Sequence, residues 1–500
     1  MRIRLLGTVG ALVLLGAGAL VAASPAGAAT VFNVRTYGAK GDGKAIDSPA
    51  INKAIAAAAS GAGGGTVLFP AGTYLSRSIH LKSNVTLQLS SGATVRAAAS
   101  GMDAPEPNAF SQWQDFGHSH FHDALMWGDG ISNFAITGTG TIDGAGLTTS
   151  NTVPKGVGDK ALSLKLCSNI HVNGVTFTRG GHFAILFNGC HDLSFLNIKV
   201  LTDTERDGIN VINSWNVEIG NSVVRSVDDA VVLKSDFALG RTFPSFNIHV
   251  HDTTILSTEN NATQFGSETC GDFHDVTFDH LKILGAGKAG IGIVSMDGSN
   301  IRHITYSNIT MTKTADPIYL KIGDRHSCPN HPPVGSISDI SISDVTGTNA
   351  VSPVSSSTEF SPTIAGASPT HKVSNVRLTN VKLTVKGGHP ASDATIVPPE
   401  NNTKHAPSVY GTRPAYGWWL RHVDGISFVG CTVTFDHNDG RPAWLTTDGS
   451  NVTISGGTLA RGTGSPYDIG FDHVSGYAVT TTKTTTGAAP RIHATNSTPL

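Results

Sequence analysis

The chain has 500 residues, a formal net charge of −2 and only 14% charged side chains. It has neither the basic face of a nucleic-acid binder nor the acidic run of a solvating tail. Its 57 glycines, with abundant Asn, Ser and Thr, suit tight turns between short strands.

Arg2 and Arg4 precede an apolar run from Leu5 to Ala23, which ends in Ser24-Pro25-Ala26-Gly27-Ala28-Ala29. A basic start, an apolar middle and a small-residue exit predict a secretory signal peptide over residues 1–29 and an extracellular protein. No later apolar span supports a membrane anchor. Next come Phe32 to Gly43 and a helical stretch in which Ser48 reads as the cap and Pro49 as the first helical residue. This helix is expected to cover the open end of the strands after it.

Those strands repeat. A polar pair followed by alternating apolar residues recurs as Ser168-Asn169-Ile170, His191-Asp192-Leu193, Trp215-Asn216-Val217, Phe246-Asn247-Ile248 and His274-Asp275-Val276. It continues through Ser338-Asp339-Ile340, Ser374-Asn375-Val376 and Ser450-Asn451-Val452. One short β-run per copy at a fixed period predicts stacked coils, each burying its apolar face on its neighbours. The Asn and Asp of each copy read as structural groups satisfying the backbone of the repeated turn. The coils form one solenoid over residues 30–479, and the Thr-rich residues 480–500 read as a loose tail. Two segments depart from the rhythm. Met102 to Trp127 is aromatic and His-rich, and Val351 to Pro414 is rich in Ser, Thr and Pro.

Of the five cysteines, Cys167 and Cys190 hold the same place in successive copies. They are expected to stack as a disulfide or as a buried thiol ladder. Cys270, Cys328 and Cys431 share no such register.

Asp207 stands one repeat before the adjacent pair Asp228-Asp229. Stacking brings the three carboxylates onto one exposed face, a costly crowding that suits acid–base work. Glu268 follows Gly266-Ser267 on a loop at the same end of a coil and is expected to reach substrate or the aspartates. On one strand face, His118, His120 and His122 would line a cleft and touch sugar. No Cys or Glu partner sits at ligand spacing, so neither a metal nor any other cofactor is expected.

These residues resemble the polygalacturonases of glycoside hydrolase family 28. The resemblance lies in Val34 to Gly43, Gly64 to Tyr74, Gly138-Thr139-Gly140-Thr141-Ile142-Asp143-Gly144, and Arg206-Asp207-Gly208-Ile209 with Asp228-Asp229. It implies an all-β, right-handed, single-stranded parallel β-helix that cleaves O-glycosidic bonds of pectic polysaccharide with inversion. By position, Asp228 would be the general acid, with Asp207 and Asp229 holding and deprotonating the water. The partner would be a polysaccharide or oligosaccharide, attacked by a monomer, from a chain end or as short oligomers, because the two long segments would block an open groove.

Three departures stand beside this. The family's Asn-Thr-Asp is Glu205-Arg206-Asp207 here, Gly-His-Gly is replaced by Gly266-Ser267-Glu268, and the uronate-gripping Arg-Ile-Lys aligns with Gly292-Ile293-Val294. Arg206, Lys234, Lys321 and Arg421 are the candidate replacement cations. If none serves, the chain is a neutral-sugar or rhamnogalacturonan glycosidase on the same fold, or a non-catalytic carbohydrate-binding solenoid.

Overall fold

The computed structural model describes residues 30–500 apart from 62, 203, 330 and 350–357, so the segment read as a signal peptide lies outside the described residues. The chain is a right-handed parallel β-helix. A complete coil contributes one strand to each of three parallel sheets. Asp207–Ile212 lies in the first, Trp215–Gly220 in the second and Val223–Ser226 in the third. The next coil repeats them as Val231–Ser235, Ser245–His251 and Thr254–Ser257. Ile209 pairs with Val231, Val217 with Ile248 and Val224 with Ile255. Inward residues therefore meet like residues one coil on, and their fully buried side chains form one continuous core.

The helix spans Ser48–Ser60 with Pro49 in its first turn, and Asp47 rather than Ser48 is its cap residue. The Asp47 carboxylate turns away to accept from the Lys40 and Gly41 N–H groups at 2.7 and 2.9 Å. Ser48 Oγ accepts from Arg77 N. Ile51, Ala54, Ile55 and Ala58 are buried, the spacing of one helical face, and that face lies on the first strands of the solenoid.

The recurring Asn and Asp residues do something other than satisfy local backbone. Asn169, Asp192, Asn216, Asn247 and Asp275 all have φ between 50° and 58°, a region that these short polar residues tolerate best after glycine. Several of their side chains bond the equivalent residue of a neighbouring coil. Asn216 Nδ2 donates to Asp192 Oδ1 at 2.8 Å, and Asn247 Nδ2 donates to Asn216 Oδ1 at 2.9 Å. The result is a polar ladder along one corner.

Two other expectations are corrected. The stretch read as a loose tail extends the solenoid, because Lys483–Thr484 pairs with Thr458–Leu459 and Ile492–Thr495 pairs with Ile469–Asp472. Thr482 and Thr484 are buried there, as in the coils before them. Within Val351 to Pro414, Thr363–Ala365 and Val373–Thr379 keep the coil going. The true interruption comes after the strand Lys382–Gly387, where residues 388–417 loop out. Cys270 and Cys328 form a disulfide, whereas Cys167 and Cys190 are free, buried and stacked. Cys190 Sγ accepts from Cys167 N at 3.2 Å.

Replacing Asn216 with Val removes both ladder bonds and forces a β-branched residue to φ 54°. The expected loss is about 2 kcal/mol in urea unfolding, and Asn216→Gly, which tolerates that φ, loses clearly less.

Candidate functional site

The site grows from one corner of the solenoid, where the third sheet turns into the first. The register Ile209–Val231–Thr263–Ile291, continued back into the corner, produces two columns. Asp207, Asp229, Asn261 and Ala289 form one; Arg206, Asp228, Asn260 and Lys288 form the other. Backbone bonds tie them, from Gly208 N to Asp229 O at 2.8 Å, Asp228 N to Arg206 O at 3.3 Å and Lys288 N to Asn260 O at 2.9 Å. Asp207 therefore stands beside Asp229, and Arg206 beside Asp228.

These residues line a cavity of about 310 Å³ together with Lys234, Glu268, Asp115, His182, Gln264, Ser267 and His405. Both oxygens of Asp228 are engaged. Its Oδ2 accepts from Arg206 Nη2 at 2.8 Å, and its Oδ1 accepts from Asp229 N at 2.9 Å and from Asn260 Nδ2. Burial opposes its ionisation, but the Arg206 and Asn260 bonds and the Arg206 charge outweigh burial and hold its carboxyl below the usual range. The other two aspartates behave oppositely. Burial pushes Asp207 well above the usual range, with the charges of Asp228 and Asp229 adding to it and Lys234 opposing. Burial and then the Asp228 charge raise Asp229, whose Oδ1 accepts from Asn261 Nδ2 at 2.8 Å. Crowded buried carboxylates share protons as a set.

Lys234 is the buried cation that makes this crowding tolerable. Its Nζ lies 3.6 Å from Asp207 Oδ2 and 3.8 Å from Glu268 Oε2. Burial alone would discharge it, but those carboxylates keep its pKa above the ordinary lysine value. Glu268 is in turn held ionised against burial, chiefly by Lys234. Behind Lys234 stands His118, fully buried, whose Nε2 is 3.3 Å from Lys234 Nζ. Burial and the Lys234 charge keep this imidazole neutral, so Nε2 accepts a hydrogen bond from the Lys234 ammonium. Its Nδ1 faces Asp236 Oδ2 at 3.5 Å, and burial pushes Asp236 up to about 7.

The three histidines do not share a strand face. Phe116–Ser119 is a helical turn, so their directions diverge. His118 backs Lys234, His120 stacks on Phe116 at 4.0 Å, and His122 stacks on Trp127 at 4.0 Å. Neither His118 nor His120 lines the cavity. Among the described residues no three His, Cys, Asp or Glu side chains converge as metal ligands. Lys321 is also displaced. It is buried under residues 388–417, its Nζ donating to Tyr410 Oη at 2.6 Å, and burial brings it down to about 7. Arg421 lines a separate cavity of about 600 Å³ farther along the sheet and donates to the carbonyls of Pro398 and Pro399. Trp418 and Trp419 pack in buried clusters.

Sequence reasoning missed Asp115, His182, Asn260, Asn261, Lys288 and His405. Counting the register on from Asp228-Asp229 would have found Asn260-Asn261 and Lys288. No spacing announces Asp115 or His405, which long segments carry in from outside the repeat. Burial and then the Lys288 charge hold His405 at about 4, so it too faces the cavity neutral.

Residues 64–405 match Glycosyl hydrolases family 28. The chain belongs to this family. It is therefore a glycoside hydrolase. Over 377 residues it is 26% identical to an exopolygalacturonase of Platanus acerifolia, spanning 72% of this chain and 84% of that one. Over 345 residues it is 25% identical to an exopolygalacturonase of Zea mays, spanning 64% and 77%. The solved exopolygalacturonase of Thermotoga maritima superposes with a TM-score of 0.57 at 18% identity, covering 71% of this chain and 88% of its own. That likeness bears on the fold.

Lys234→Met is expected to destabilise the protein by about 3 kcal/mol at neutral pH, because it strands buried carboxylates without their cation. Glu268 has a depressed folded pKa, so its stabilisation is present above its unfolded value of about 4.3 and is lost as pH falls through the folded value. The gap between wild type and variant, tracked by denaturant unfolding, should narrow on acidification below pH 4.

Proposed function

We propose that this glycosidase releases acidic sugars from the end of a pectic polysaccharide outside the cell, acting as a single chain. The observation that carries this reading is the cavity itself, where Asp207, Asp228, Asp229 and Glu268 meet Arg206, Lys234 and Lys288 within about 310 Å³. Segment 102–127 brings in Asp115 and segment 388–417 brings in His405, walls that suit attack at a chain end rather than along an open groove. The exopolygalacturonase relatives support the same mode.

In this reading Asp228 protonates the glycosidic oxygen as the bond to the anomeric carbon breaks. Asp207 and Asp229 hold a water on the opposite face and take its proton, so the configuration inverts. Asn261 fixes Asp229 and Lys234 steadies Asp207, which preorganises the pair before substrate enters. Lys288 and Arg206 supply the positive charge that Gly292 and Val294 lack. Lys234 and Glu268 set the field, and His118 aims Lys234.

The uncharged sequence Gly292-Ile293-Val294 also favours a second reading, a neutral-sugar or rhamnogalacturonan glycosidase with the same aspartates. Reducing-sugar release separates the two. Release from polygalacturonate, with monomers as the only early product and the first-formed anomer inverted, is expected. Asp228→Asn should cut it about 10³-fold. Release only from a neutral polymer or rhamnogalacturonan moves the substrate, and release from none leaves a binding protein.

A further inference from the structure

We propose that Arg206 is a substrate-operated latch on the acid, holding Asp228 between turnovers and surrendering it only to a carboxylate carried by the sugar. This rests on Asp228 being the general acid. Such an acid must present a proton on an oxygen aimed at the leaving group. In the resting site both oxygens of Asp228 already accept hydrogen bonds, Oδ1 from Asn260 and the Asp229 N–H and Oδ2 from the Arg206 guanidinium, and these bonds favour the ionised, proton-free form. The Oδ1 partners belong to the coil frame and stay. Arg206 can leave, since its side chain is 32% exposed and its other nitrogen rests on Asn151, a neutral residue on an exposed loop. A planar guanidinium is the group best suited to exchange one carboxylate for another in bidentate geometry.

The other charges around Asp228 set its protonation once the latch opens. Lys234 favours its ionised form, but Lys234 is committed to Asp207 and Glu268 and buried against His118. Asp115 lies close enough to Arg206 to add to the pull of the substrate, and His182 is held neutral at about 3 by burial and then by Arg206. Once Arg206 turns to the sugar, Asp228 faces the buried carboxylates Asp207 and Asp229 with a vacant oxygen. It then takes a proton from solvent.

Turnover balances from there. The proton passes from Asp228 Oδ2 to the glycosidic oxygen as the carbon–oxygen bond breaks. The water oxygen bonds the anomeric carbon, and its proton goes to the Asp207–Asp229 pair. Release of both sugars lets that proton return to solvent and lets Arg206 close on Asp228 again. One glycosidic bond and one water are consumed. A sugar without a carboxylate would enter but leave the latch shut, so the discrimination falls on kcat as well as on KM.

The test is the pH dependence of kcat and kcat/KM for wild type, Arg206→Gln and Arg206→Lys, using trigalacturonate and its methyl ester, with Asp228→Asn alongside. In the wild type the alkaline limb of kcat on trigalacturonate should lie above that of kcat/KM, because the latch is shut in free enzyme and open in the complex. Arg206→Gln should raise the kcat/KM limb by about one pH unit toward the kcat limb. It should also raise KM roughly tenfold and erase most of the preference for the free acid over the ester. Arg206→Lys, which keeps the charge, should sit between the two. Unshifted limbs in both variants, with only kcat lowered, would overturn the latch and leave Arg206 a packing residue. Activity retained in Asp228→Asn would instead overturn the acid assignment beneath it.

Discussion

Everything in this site depends on the register of parallel strands. Backbone bonds between successive coils place each residue of one turn beside its counterpart in the next, and the corner between the third and first sheets inherits that order. Asp207 beside Asp229 and Arg206 beside Asp228 follow from ladders made by Ile209, Asn210 and Val211 in the strand that Asp207 opens. A slip of one residue would send the core face of that strand to solvent. The same apolar alternation that stabilises the solenoid therefore fixes which charge meets which.

Such stacking brings like charges together, and the cavity is arranged around that cost. Asp207 and Asp229 are buried and Glu268 is half-buried next to Lys234, whose own burial those carboxylates offset while a neutral imidazole stands at its back. Lys234 is locked in that environment, whereas Arg206, half-exposed and shared with an asparagine, is not. The difference between a fixed and a movable cation gives the two columns different characters. One column steadies carboxylates that are poised to take a proton. The other holds the proposed acid in its ionised form until something displaces its partner.

The solenoid was legible in the chain because a period-2 apolar run recurs with a polar pair before it, and any stack that buries those runs must place their flanking turns in columns. The three aspartates were legible for the same reason. The histidines at 118, 120 and 122 were not, because their alternation suggests a strand and the chain makes a helical turn there, which sends the rings three ways. Nor was the fate of Lys321, a candidate cation for the substrate, which residues 388–417 cover and whose ammonium donates to Tyr410. The Asn and Asp of each repeat are structural groups, though they bond coil to coil instead of to local backbone.

By itself, then, the sequence determined the repeat, the faces of its strands and the residues at each corner, since these follow from local alternation and turn chemistry. Tertiary structure decided the partners. Segments outside the repeat supply Asp115, His405 and the cover over Lys321, and nothing periodic encodes where a long loop lands. It also decided the protonation pattern, because burial, Lys234 and Arg206 act on three chemically identical carboxyl groups and push them in opposite directions. That separation needs distances and depth, which a linear pattern does not contain.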